Sequence, residues 1–177
     1  NSDAKPFLPY VIKSVAGVKV AIIGMTTPSI PSWEKPENYA GYTFRDPVQT
    51  LRETIGALRN KETPDVVIVA VHSGLNRDLK TGSRSQGDLP GENVAYELAE
   101  VPGVDVVIFG HTHSQLDEAF VGNTLLVQPK NWGISLARVD FTFEREGPGP
   151  WKLTGKKSRL IPVTAKTDAA ADILGAA

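Results

Sequence analysis

Val104-Asp105-Val106-Val107-Ile108-Phe109-Gly110-His111-Thr112-His113 is the stretch whose reading decides how this chain folds. The apolar run from Val106 to Phe109, rich in β-branched and aromatic side chains, reads as a buried strand. It runs straight into a glycine and two histidines at alternate positions. Gly110 is expected to let the backbone bend where a Cβ would obstruct. The i, i+2 spacing of His111 and His113 lets a tight turn present two imidazoles to one small volume, which suits a borderline transition metal.

The chain holds three histidines. The remaining one, His72, ends an equivalent unit, Asp65-Val66-Val67-Ile68-Val69-Ala70-Val71-His72-Ser73-Gly74. Every histidine therefore lies at or just past the C-terminal end of a buried strand, the edge where open α/β sheets bind ligands. His72, His111 and His113 are predicted to converge on one metal site.

Composition narrows the alternatives. A length of 177 residues suits one domain with a sizeable core, and 41% apolar with 22% charged residues is the profile of a folded chain. A net charge of −1 gives no reason to expect a nucleic acid polymer or an anionic membrane as partner. With no cysteine there is no disulfide framework and no thiolate site, so a metal must be held by His, Asp, Asn or Glu. No apolar run is long enough to span a membrane, and the first residues show no signal pattern. Asn1 to Pro6 lacks an initiator methionine and leads almost at once into a strand, which reads as a chain cut from something longer.

Working outward, Pro9–Val15 and Val18–Gly24 around Ala16-Gly17 predict a hairpin whose second strand enters the core. Met25–Tyr42, with three prolines and Trp33, reads as a long docked loop. Trp33 is read as packing that loop down, with stacking on a base or sugar as the alternative. Asp46-Pro47 opens a helix carrying Val48, Leu51, Ile55 and Leu58 on one face, and Thr63-Pro64 stops it. The strand to His72 follows, in a crossover that predicts parallel pairing. Leu75–Gly91 is a polar loop, with Arg77, Lys80 and Arg84 read as solvated rather than phosphate-binding. Glu92–Ala99 is a short helix before the strand to Gly110. Beyond His113 the pattern turns to hairpins: Gly122-Asn123 signals a type I′ turn, and Leu136–Phe143 and Trp151–Val163 form the last strands. Residues 1–163 are thus one unit, and Thr164–Ala177 is a terminal helix or a linker toward a further domain.

These motifs resemble the calcineurin-like metallophosphoesterase family. The match lies in a strand ending His72-Ser73-Gly74, then Gly91-Glu92-Asn93, then Gly103 through His113. Pro9-Tyr10-Val11-Ile12 and Gly17–Gly24 with Thr26-Thr27-Pro28 add to it. The resemblance is closest to the branch of 5′-nucleotidases and 2′,3′-cyclic-nucleotide 2′-phosphodiesterases, and it covers the second half of that domain. It implies an α/β fold, a β-sandwich flanked by helices, here incomplete. It further implies a hydrolase of nucleotide phosphate esters with two divalent metals, zinc, manganese or similar. His72 and His111 would ligate the second metal and His113 the first.

The family's first half supplies Asp-x-His, Gly-Asp with a bridging carboxylate, and Gly-Asn-His with the acid histidine. None of these is in the chain; Gly87-Asp88 and Gly122-Asn123 occur out of context. The expectation is a chain with no catalytic acid of its own, partial or no metal occupancy, and little activity alone. Its expected partners are a phosphate ester in the parent and either the missing half or a second copy of the chain. The resemblance also implies export to the periplasm or cell surface. The alternatives are a non-catalytic metal-binding or assembly module, and the sulfate-thiol esterase branch, which shares the Gly-His-Thr-His signature.

Overall fold

The computed structural model describes residues 7–175; the opening Asn1–Pro6 stretch and the end of the tail lie outside the described residues. Strands β1 (Val11–Val15) and β2 (Val18–Thr26) form the expected hairpin. Its two-residue turn has positive φ at both Ala16 (+51°) and Gly17 (+82°), as a type I′ turn requires. Helix α1 (Pro47–Lys61) starts where the sequence places it: the Asp46 carboxylate accepts the Gln49 N–H at 2.7 Å, and Pro47 occupies the first turn. Leu51, Ile55 and Leu58 form its buried stripe.

The parallel strands follow from uninterrupted apolar runs. β3 (Val66–His72) and β4 (Val106–Phe109) are joined through helix α2 (Ala95–Ala99), and β5 (Leu116–Val121) and β6 (Thr124–Gln128) complete a sheet in the order β1-β2-β3-β4-β6-β5. β2, β3, β4 and β6 are mutually parallel, while β1 and β5 are antiparallel edges. α2 begins at Ala95 rather than Glu92. The residues ahead of it spend their side chains on tertiary contacts: Asn93 accepts the Gly74 N–H, and Glu92 reaches His111.

Alternate residues of each strand face opposite layers. On one face Ala21, Ile23, Val69, Val107, Phe109 and Leu126 pack against α1 and α2. On the other, Val106, Leu125 and Val127 meet Ala137, Val139, Phe141 and Leu160 of a second, two-stranded sheet made of β7 (Ser135–Glu144) and β8 (Lys152–Pro162). The expected sandwich with flanking helices is what these layers build. Beside β2, outside the cluster under the β7–β8 sheet, Phe7, Leu8, Val11, Ile22, Gly24 and Ala70 line an open apolar groove of about 690 Å³.

One long edge of the β7–β8 sheet is closed. β5 presents its carboxylates to β8, with Glu118 accepting the Ser158 N–H at 2.8 Å and Asp117 the Leu160 N–H at 2.6 Å. The opposite edge, along β7, pairs with no further strand among the described residues. Two details differ from the sequence reading. In the turn between β5 and β6 only Gly122 has positive φ (+56°), as in a type II′ rather than a type I′ turn. The tail forms a single exposed turn, α3 (Ala171–Leu174).

Candidate metal centre

Because β3 and β4 run parallel, with Val71 opposite Phe109, their C-terminal ends emerge side by side at one edge of the sheet. His72 is the last residue of β3, and His111 lies two beyond the end of β4. Their rings meet: His111 Nδ1 stands 3.2 Å from His72 Nε2, with ring centroids 5.0 Å apart. The His-Thr-His turn is tight because His111 and His113 both take left-handed backbone conformations, φ +67° and +54°. Each costs on the order of 1–2 kcal/mol for a residue with a Cβ. Thr112 closes the bend by donating its N–H to the Gly110 carbonyl at 2.8 Å, and Lys130 Nζ holds the His113 carbonyl at 2.7 Å.

Gly110 is therefore not the pivot the sequence suggests, since a Cβ there would meet nothing. At the site, the glycine with no room for a side chain is Gly74, where a Cβ would run into the Thr112 methyl and the Asn93 side-chain oxygen. It brings the chain after β3 against the turn after β4, and this close approach seats the two histidines together.

Around the pair, the Glu92 carboxylate lies 2.8 Å from His111 Nε2 and also accepts the Leu89 N–H at 2.9 Å. Trp33 stacks on the His111 ring with centroids 5.6 Å apart and planes at 26°, so the long loop docks on the site itself. Arg77 and Arg84 reach Glu97 on α2 at 3.4 Å, with Arg77 also over the Tyr96 ring, which commits both to holding the polar loop. His113 makes no ring contact with the other two histidines among the described residues; its ring lies 6.1 Å from that of Trp132, which is 87% exposed. Glu92 and Trp132 are not singled out by the sequence reading as site residues, and Trp33 is read there as packing its loop, with stacking on a base or sugar as the alternative. Only the Gly91-Glu92-Asn93 match pointed toward the first.

Partial burial, followed by the nearby charges of His111 and His113, holds the His72 pKa below the ordinary imidazole value. The hydrogen bond from His111, then that from the Leu89 amide, lowers the Glu92 carboxyl. Both shifts give stability that is present at neutral pH and lost on acidification, because the unfolded chain binds the extra protons more readily. The melting temperature of the chain is expected to decline as the pH falls below about 6.5, through His72, and again below about 4.3, through Glu92. His72→Gln should flatten the first decline; a wild-type midpoint unchanged between about pH 7 and 5 would contradict it.

Two nitrogens bound to one divalent ion at about 2.0–2.1 Å each stand about 3 Å apart, so the 3.2 Å His72–His111 pair fits two positions of one coordination shell. Among the described residues no group of three or more His, Cys, Asp or Glu gathers to fill the remaining positions. The sequence model of the calcineurin-like phosphoesterases matches residues 5–115, ending just past the His-Thr-His turn. The chain belongs to the calcineurin-like phosphoesterase family.

Calcineurin-like phosphoesterases are hydrolases that use divalent metals. The present member is 29% identical, over 89% of its length, to a 2′,3′-cyclic-nucleotide 2′-phosphodiesterase/3′-nucleotidase of Salmonella typhimurium. It is 31% identical, over 94% of its length, to protein UshA of Yersinia enterocolitica. It spans 26% and 32% of those two proteins. Among solved structures, the calcineurin-like phosphoesterase YfkN of Bacillus subtilis superposes with a TM-score of 0.77 at 25% identity, covering 97% of this chain and 55% of that one. The sulfate thiohydrolase SoxB of Thermus thermophilus shares the fold, with a TM-score of 0.73 at 22% identity over 96% of this chain and 28% of that one.

Proposed function

We propose that this calcineurin-like phosphoesterase chain supplies the second half of a dinuclear-metal centre that hydrolyses nucleotide phosphate esters. Residues up to 163 form that half, and 164–177 form a tail toward a further domain. The observation that carries the reading is the placement of His72 Nε2 and His111 Nδ1 3.2 Å apart at the C-terminal edge of the sheet. His72 and His111 hold one ion, and His113, on the same turn, serves the other. The depressed His72 pKa keeps its ring neutral near pH 7, with a lone pair free to donate. When bound, the ions supply Lewis-acid polarisation of a phosphoryl oxygen and a water acidified toward neutral pH.

The nucleotide substrate class is supported by the cyclic-nucleotide phosphodiesterase name of the Salmonella relative. SoxB supports the sulfate-thiol branch only through a shared fold. A relative named as a Listeria monocytogenes cell wall protein, 30% identical over 95% of this chain, favours a site of action outside the cytoplasm. No helix among the described residues is long and apolar enough to cross a membrane. The partner that completes the centre is a segment bearing Asp-x-His, Gly-Asp and Gly-Asn-His, and its place is over the apolar groove beside β2.

Elemental analysis tests this reading. Joined to such a segment taken from a relative, the chain should retain two divalent ions per polypeptide. His72→Ala or His111→Ala should weaken retention of one of them by more than about 10-fold, the least that even an outer-shell loss costs. Undiminished metal content in both variants would refute it.

A further inference from the structure

The geometry points to Glu92 as a positioning residue that fixes which nitrogen of His111 is free: it holds the ring in the Nε2–H form, with the unprotonated Nδ1 turned to His72. A carboxylate beside a hydrogen-bond donor can only accept, so at 2.8 Å the proton must sit on His111 Nε2. In the neutral ring that leaves Nδ1 with the lone pair, and Nδ1 is the atom 3.2 Å from His72 Nε2. Turning the ring over would place carbon where each nitrogen now stands, losing both contacts together.

Glu92 is itself held in place. Its carboxylate accepts the Leu89 N–H, and its carbonyl accepts the Ser73 hydroxyl at 2.8 Å, on the residue following His72. Ser73 Oγ in turn accepts the Val94 N–H at 3.0 Å. Trp33 constrains the His111 ring from its face while Glu92 constrains it from its edge. The side chains of His111 and Glu92 are only 19% and 18% exposed, so water competes weakly for the contact. A carboxylate behind an imidazole in this way sets the tautomer and the orientation of the ring.

The assignment rests on the proposed metal role of His111 only for its consequence, and the two can fail separately. Long-range proton–nitrogen correlation spectra of the nitrogen-15-labelled, metal-free chain at about pH 8, above the ordinary imidazole range, report the tautomer of each of the three histidines. His111 is expected as Nε2–H in the wild type and as a mixture of both forms in Glu92→Ala. Glu92→Gln fills the same space but can either accept or donate, so an intermediate mixture is expected. An identical His111 signal in the wild type and both variants, or a wild-type His111 carrying its proton on Nδ1, overturns the assignment. Zinc titration in the same samples should show about 10- to 100-fold weaker binding in Glu92→Ala. If zinc leaves the His72 and His111 rings of the wild type unperturbed while the tautomers respond as expected, the metal reading fails and the role of Glu92 stands.

Discussion

Given 2′,3′-cyclic nucleotide or nitrophenyl phosphate and excess zinc or manganese, the chain alone is expected to turn substrate over about 10²- to 10⁴-fold more slowly than after joining to a segment with the first-half motifs. That range is what a missing general acid typically costs. The reason lies in what the site contains: two imidazoles in contact, a third on the same turn, and no group of three ligating side chains among the described residues. On the proposed reading, the bridging carboxylate that would help neutralise two cations and the histidine that would protonate a leaving oxygen come from the joined segment. The rate of the joined protein should also depend on His111, which separates repair of the centre from activity carried by the added segment. Hydrolysis by the chain alone at the joined rate would end the proposal.

Leu126→Ala is expected to destabilise the fold by about 2–5 kcal/mol, read as a lower denaturation midpoint in urea. Leu126 is fully buried in the middle of the sheet, opposite Val107 of β4 and Ala119 of β5, within the core under the helices. Against a total stability of about 5–15 kcal/mol, the loss approaches the threshold for unfolding. Leu136→Ala removes a side chain of the same size from the outer side of β7, where it is 61% exposed, and should change stability by less than about 0.5 kcal/mol. Equal losses from the two substitutions would mean that the layers are not arranged as described.

What was legible in the sequence is what neighbouring residues decide among themselves. Asp46-Pro47 marks a helix start because cap and first turn lie side by side, and the stripe of Leu51, Ile55 and Leu58 repeats every three or four residues. The runs ending at His72 and Phe109 announce buried parallel strands by having no polar alternation. The first two histidines of the site follow from that, since parallel neighbours end at the same edge.

The rest depends on contacts between segments far apart in the chain. Glu92 reads from sequence as the first residue of a short helix, but the helix begins only at Ala95, and its bond to His111 depends on the close approach of two turns at Gly74. Trp33 reaches the same ring from a loop with no periodic pattern at all. The bend at the histidines was credited to the nearest glycine by the usual preference. Instead His111 and His113 carry the left-handed conformations themselves, held by Thr112 and Lys130.

The carboxylates that β5 lays along β8 have a directional effect. Asp117 and Glu118 occupy the Ser158 and Leu160 amides from outside, so an incoming strand finds no donors there. Among the described residues, the edge of the smaller sheet left open to strand pairing is therefore the β7 edge. Two acidic side chains thus leave the smaller sheet with a single strand-accepting border among the described residues.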